Sequence, residues 1–257
     1  MAKTLKRFLI SGSLSDSKQK RKREVQTVLL TREETHHLKN VLRIKEGGMC
    51  QLFDREGNEF VSRLERFLPE GSSEAKLLES ISSQKGNLLQ LTIAQAVPQN
   101  RKMDEIARKS AELGIFKLIP LITERTVVRI SKDQVKKVHE RWERITEQTL
   151  KQSRLSKSPS IESLTSFGSL CSHFSEYDQI FLLHPSSDAQ PIRECSPSRK
   201  NETTRVLLMI GPEGGFSPAE VEQAKAQGAQ IIKMGQGILR TDTAFVAAAS
   251  FFQLMYS

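Results

Sequence analysis

The chain has 257 residues and a formal net charge of +9, with 37% hydrophobic and 27% charged residues. That length holds one large domain or two smaller ones, each able to bury a core, and no apolar run approaches the ~18 residues of a membrane span. Three widely spaced cysteines, Cys50, Cys171 and Cys195, lack CxxC or histidine partners at ligand spacing, so neither a disulfide framework nor a metal site is expected.

The start, "MAKTLKRFLISGS", has too few apolar residues after its basic stretch for a secretory leader, and a cytoplasmic protein is expected. The charge is segregated. Residues 1–160 hold 32 Lys and Arg against 20 Asp and Glu, whereas residues 161–257 hold 7 against 10. Such an excess in the first three-fifths suits a surface that meets a polyanion.

From Lys6 to about Leu78 the pattern is short strands and turns: "RFLI", "TVLL", "MCQLFD", "EFVSRLERF" and "EAKLLES", broken by "DREGN" and "PEGSS". One helix interrupts them, "TREETHHLKNVLR", with Thr31 and Glu34 at capping-box spacing and Leu38, Val41 and Leu42 on one face. A mostly β unit of this size suggests a small barrel over residues 1–81. "SSQKGN", Ser82 to Asn87, reads as a linker.

From residue 88 to 257 strands and helices alternate. "LLQLTIAQA" is a strand, "RKMDEIARKSAELG" a helix, "FKLIPLIT" a strand and "KDQVKKVHERWERITEQTLKQS" a long helix. The strands "QIFLLHP" and "RVLLMIG", the helix "SPAEVEQAKAQG", the strand "AQIIKMG" and the apolar helix "TDTAFVAAASFFQLMYS" follow. This rhythm predicts an α/β domain on a mostly parallel sheet.

In "RVLLMIGPEGGFSP" a buried strand stops at glycines, a proline and one carboxylate before Ser217, Pro218 and Glu220 start a helix with an N-cap, a proline at its first position and a capping box. A glycine-rich loop there would suit phosphate, yet Glu213 stands where a phosphate wants lysine, and neither the P-loop nor the dinucleotide-binding pattern fits. The strand ends "FLLHP", "LMIGPEGG" and "IKMGQGILR" could converge on one pocket, because open α/β sheets bind ligands at the C-terminal ends of their strands. A nucleoside with a cationic or zwitterionic tail fits a pocket that carries Glu213.

"IGPEGGFSPAE", "MGQGILRTDTA", "RKMDEIARKSAELG", "TERTVVR", "LLHP" and "HHLKNVLRIKEGG" together resemble the bacterial 16S ribosomal RNA (uracil-N3)-methyltransferase family of the SPOUT superfamily, in order over nearly the whole chain. The resemblance implies a PUA-like N-terminal RNA-binding domain, a C-terminal α/β domain with a trefoil knot, S-adenosylmethionine as methyl donor, 16S ribosomal RNA or the small ribosomal subunit as partner, and a homodimer. It implies cofactor contacts from Leu183, His184, Gly211, Pro212, Glu213, Gly214, Gly215, Met234, Gly235, Ile238, Leu239, Arg240 and Thr241. The sequence departs from the family's pattern at Pro185, where "LHE" is usual, at Gly237, where arginine is usual, and at Gln99, where lysine is common before "KMD".

Methylating uracil N3 requires loss of a proton or stabilisation of the anion it leaves. Glu213 could accept the proton or only pin its loop, and Arg240 could stabilise charge on the uracil carbonyls or hold phosphate. For RNA contacts, the run of Lys18, Lys20, Arg21, Lys22 and Arg23 is the first candidate, with Arg7, Lys102 and Arg125 behind it. The small residues of the last helix suit close approach by a second copy. The competing readings are a SPOUT enzyme acting on another nucleotide or on ribose, and an RNA-binding assembly factor without activity.

Overall fold

The computed structural model describes residues 5–14, 26–54, 57–81, 89–152, 157–195, 203–235 and 237–256. It divides into two compact units, residues 1–85 with 150–158, and residues 86–149 with 159–257.

The first unit contains β1 (Lys6–Leu9), β2 (Thr27–Leu30), a short helix α1 (Arg32–His36), β3 (Met49–Phe53), β4 (Glu59–Phe67) and β5 (Ser73–Ile81). The strands form one sheet in the order β1-β3-β4-β5-β2, parallel between β1 and β3 and antiparallel elsewhere. The "DREGN" turn between β3 and β4 is organised by Asp54, 1% exposed, whose carboxylate accepts from Leu14 N at 2.6 Å and from Asn58 N at 2.8 Å. The capping box of α1 is formed, and Glu34 also accepts from Ser11 N at 2.5 Å, so one carboxylate starts the helix and fixes the end of the first strand's loop.

The helix does not keep one apolar face. After His36 it widens to a π turn over His37–Val41, with Leu42 N donating to His37 O. The extra residue rotates the face: Leu38 is fully buried, whereas Val41, expected beside it, is 61% exposed.

The second unit contains β6 (Leu89–Ala96), α2 (Lys102–Glu112), β7 (Lys117–Ile122), residues 132–149 of α3 (Lys132–Gln152), β8 (Ser160–Ile161), β9 (Thr165–Ser166), α4 (Phe167–Cys171), β10 (Gln179–Leu183), β11 (Gln190–Pro191), β12 (Thr204–Ile210), α5 (Pro218–Ala226), β13 (Gln230–Lys233) and α6 (Thr241–Met255). All pairs in its sheet are parallel, in the order β11-β13-β10-β12-β6-β7-β8, with β9 also on β7. In β12, Val206, Leu208 and Ile210 face one core with α2 and α6, while Leu207 and Met209 face another with α4 and α5. This is why "RVLLMI" is an unbroken apolar run: both faces of a parallel sheet are covered.

The small residues of α6 are spent inside the chain. Ala244, Ala248 and Ala249 are buried in the same core as Phe245 and Phe252, which corrects their expected role as a surface for a second helix. Among the described residues no helix is long and apolar enough to cross a membrane, and no group of three or more metal-ligating side chains gathers. The three cysteines are free and buried, and burial pushes each thiol up to about 11.

Candidate active site

Sheet register brings the three loops together. Leu183 at the end of β10 lies beside Ile210 at the end of β12 and beside Ile232 of β13, so all three strands release their chains at the same edge. The loops enclose a cavity of about 540 Å³, a size suited to a nucleoside-containing ligand. From β10 it receives Leu183, His184 and Pro185; from β12, Gly211, Pro212, Glu213, Gly214 and Gly215; and from β13 and the start of α6, Met234, Gly235, Gly237, Ile238, Leu239, Arg240 and Thr241. Lys102 and Arg125, expected as RNA contacts, also line it.

The glycine loop is a tight turn closed by Gly215 N donating to Pro212 O at 2.9 Å. Gly215 has φ +68°, where only glycine sits without penalty. Gly211 is excluded from larger side chains by crowding, since a Cβ there would lie 3.1 Å from Gly215 Cα and 3.3 Å from the Phe216 ring. Gly214 has neither constraint: its Cβ would meet Arg125 Cβ at an ordinary 3.4 Å. Helix α5 then starts with the capping box Ser217–Glu220. Among the described residues the N–H groups of Glu213 and Gly214 find no protein acceptor, leaving two donors on the loop.

Glu213 is already engaged. Its Oε1 lies 3.3 Å from Lys102 Nζ, and both carboxylate oxygens accept from Gln99 N at 3.3 and 3.4 Å. The Lys102 ammonium stands 3.9 Å from Asp242 Oδ1, a buried atom without a hydrogen bond among the described residues, so one cation bridges the glycine loop and the first turn of α6. Gln99 precedes Asn100 and Arg101, which both have positive φ, at 56° and 57°. That kinked backbone turns the Gln99 N–H and the Lys102 side chain onto one carboxylate.

Arg125 comes from the turn after β7. Thr126 N donates to Thr123 O at 3.1 Å, Glu124 N donates to Glu220 at 2.9 Å, and the Arg125 guanidinium donates to Gly214 O at 2.9 Å. Arg240 occupies the N-cap of α6, has no side-chain cap there, and among the described residues has no carboxylate partner. Lys233, which also lines the cavity, reaches the carbonyls of Ser186 and Ser187, so among the described residues Arg240 is the exposed cation of the cavity that remains uncommitted.

Two supports carry little sequence signal. Gln95 of β6 is fully buried under the glycine loop, its amide within 3.4 Å of Ile210 O and 3.5 Å of Gly211 O; a lone glutamine inside "LTIAQA" was its only sign. Glu220 reads as a helix cap, and its second task of holding the Arg125 turn depends on a partner 96 residues away.

Arg7 falls elsewhere. Its guanidinium pairs with Glu59 at 2.6 Å and lies 4.2 Å over the Phe53 ring, with the side chain only 13% exposed, so the sheet uses the charge expected to meet RNA. Lys18, Lys20, Arg21, Lys22, Arg23 and Gln236 lie outside the described residues.

His184 lines the cavity with a buried Nδ1 that has no hydrogen-bond partner among the described residues. Its pKa is lowered, first by burial and then by the nearby Arg125 charge, so the ring is neutral at pH 7. Acidification that forms the imidazolium adds positive charge beside Arg125. Affinity for a cationic ligand is therefore expected to be constant at pH 7 and above and to fall only in acid below the ordinary imidazole range, because the pKa is lowered, and a His184→Gln variant should lose that fall in calorimetric titrations across pH.

An RNA methyltransferase domain model matches residues 84–253 and an RNA methyltransferase PUA domain model matches residues 30–66. The chain belongs to the RNA methyltransferase family. It is 32% identical over 218 residues to the ribosomal RNA small subunit methyltransferase E of Synechocystis, an alignment that covers 85% of this chain and 70% of the relative. Against the Bacillus subtilis protein of the same name it is 30% identical, with 88% and 90% covered. The crystal structure of a ribosomal RNA small subunit methyltransferase E from Neisseria gonorrhoeae bound to S-adenosylmethionine is similar over 98% of both chains, with 28% identity and a TM-score of 0.78. The α/β methyltransferase unit and its N-terminal PUA domain thus agree with the resemblance in "GPEGGF" and "GQGILRTDTA".

Proposed function

We propose that the protein transfers the methyl group of S-adenosylmethionine to N3 of a specific uridine in 16S ribosomal RNA of the small ribosomal subunit. One observation carries the reading: three strand-end loops, two of them glycine-rich, build one cavity that contains an uncommitted arginine. The cavity fits the donor. It offers the loop N–H groups of Glu213 and Gly214, the buried unpartnered His184 Nδ1 and the apolar side chains of Leu183, Met234, Ile238 and Leu239. When bound, S-adenosylmethionine supplies a methyl group activated by a sulfonium.

In this mechanism the N3 proton leaves to solvent water, and Arg240 stabilises the negative charge that this leaves on the uracil carbonyl oxygens until N3 bonds the methyl carbon. Glu213 acts as the pin of the glycine loop, because its oxygens are occupied by Lys102 and Gln99 N. Lys102 holds the glycine loop and the start of α6 in register through Glu213 and Asp242. Arg125 braces the same loop from the other side through Gly214 O. The target base must be unstacked to bring N3 to the cavity.

Residues 1–81 serve in this reading as the RNA-binding domain, with the Lys18–Arg23 run as its phosphate contact, and residues 88–257 as the knotted SPOUT domain. A homodimer is supported by Val246 and Leu254, which remain exposed on α6. A cytoplasmic location is supported by the ribosomal substrate and by three cysteines placed apart from one another in the sequence.

The test is transfer from methyl-labelled donor to 16S ribosomal RNA and to assembled small subunits, followed by nuclease digestion and mass spectrometry. Label in N3-methyluridine at one position is expected. Label in another nucleoside or in ribose would replace the target, and RNA binding without label would favour an assembly factor.

A further inference from the structure

One residue that lines the cavity, Arg125, lies in the segment between β7 and α3. Over residues 125–130 exposure alternates: Arg125, Val127 and Arg129 are exposed, while Thr126, Val128 and Ile130 are half-buried. This is the two-residue period of a strand. Among the described residues, however, the backbone groups of residues 127–129 take no protein hydrogen bond, and the segment belongs to no sheet. Both ends are anchored. The Thr123–Thr126 turn and the Glu124–Glu220 bond hold one end, and at the other Ile130 packs on the core and Ser131 O accepts from Gln134 and Val135 at the start of α3.

The outward row is cation, apolar, cation. Arg125 already lines the cavity, and Arg129 has no carboxylate partner among the described residues. Arg125 lies in the Thr123–Thr126 turn, and at roughly 3.3 Å per residue the chain lets Arg129 stand at most about 13 Å from it. Glu124 and Asp133 are the acidic groups nearest in sequence, both exposed, and Glu124 falls outside the 125, 127, 129 row.

We propose that Arg125, Val127 and Arg129 form a track for a single-stranded segment of the RNA, with phosphates on the two guanidinium groups and a base face against Val127, leading the strand to the cavity. The proposal rests on the RNA methyltransferase reading and extends it to a surface of the catalytic unit. Exposed extended backbone invites a second strand, and a second copy of the chain is the other occupant to consider. The like charge of the row disfavours it, because an antiparallel copy brings arginine against arginine. A polyanion with open phosphates matches the row and the free N–H groups together.

Binding of the full-length protein to a 16S ribosomal RNA transcript, measured over a salt series, tests the track. Arg129→Ala is expected to weaken binding several-fold at physiological salt and to reduce the slope of log affinity against log salt by about 0.7, the value for one phosphate contact on a single strand. Arg129→Glu should weaken it further, Arg129→Lys should keep the slope, and calorimetric affinity for S-adenosylmethionine should be unchanged in all three. An unchanged slope in both Arg129→Ala and Arg129→Glu would overturn the track. So would a dimer that dissociates in Arg129→Glu during sedimentation, because the row would then join two copies. If the wild-type protein methylates no ribosomal RNA while the slope still falls with Arg129→Ala, the reaction assigned above fails and the track stands.

Discussion

Replacing Arg240 with alanine should lower the single-turnover rate of methyl transfer by about 10²–10³, the usual loss when one preorganised group that stabilises developing negative charge is removed. Affinity for donor and RNA should change only a few-fold. The reason is geometric: Lys102 is committed to Glu213 and Asp242, Arg125 donates to Gly214 O, and Arg240 lacks a carboxylate partner among the described residues. Arg240→Lys should recover part of the rate, since the charge remains and the planar fork is lost.

Glu213→Gln is the paired experiment. The amide keeps an oxygen to accept from Gln99 N but removes the ion pair with Lys102. Turnover should fall less than tenfold if the carboxylate pins the loop, and by at least about tenfold if it accepts the N3 proton or balances the sulfonium. A large loss in Glu213→Gln combined with a nearly active Arg240→Ala would reverse the two assignments.

Much of this site was legible because parallel strands covered on both faces are unbroken apolar runs, and a turn-forming residue, proline after β10 and glycine after β12 and β13, marks where each one stops. "QIFLLHP", "RVLLMIG" and "AQIIKMG" therefore located the three loops before any pairing was known, and two capping boxes located the helices α1 and α5. The two-residue strands β8, β9 and β11 and the five-residue α4 are too short to show a period.

Charge proved harder to place than hydrophobicity. Arg7 and Lys102 both read as cations for RNA, but what each one does depends on a partner far away in sequence: Glu59 for Arg7 and Glu213 for Lys102. The alanines of α6 show the same limit. A small residue permits close approach without saying whether the neighbour belongs to the same chain, and here Ala244, Ala248 and Ala249 pack inside it.

Gly211→Val should be the most damaging substitution in the glycine loop, ahead of Gly214→Val and Gly215→Ala. At Gly211 even the Cβ would lie 3.1 and 3.2 Å from the backbone of Gly215 and 3.3 Å from Phe216, a fully packed ring, so the turn must open. Opening also pulls Gly211 O from the Thr241 hydroxyl, which donates to it at 3.3 Å, and thereby separates the loop from α6. Overpacking of this kind costs about 1–3 kcal/mol, and each kcal/mol lowers the melting temperature of a domain this size by roughly 2–4 °C. Donor affinity should fall at least about tenfold. Gly215→Ala meets no atom within 4 Å, and its cost is the positive φ alone, about 1–2 kcal/mol. Gly214→Ala should be tolerated, whereas the extra methyl groups of Gly214→Val press on Arg125 and should weaken donor binding in a folded protein. Calorimetry with S-adenosylmethionine beside thermal melts separates these cases: a Gly211→Val protein that binds donor normally would mean that the closed turn is not what holds it.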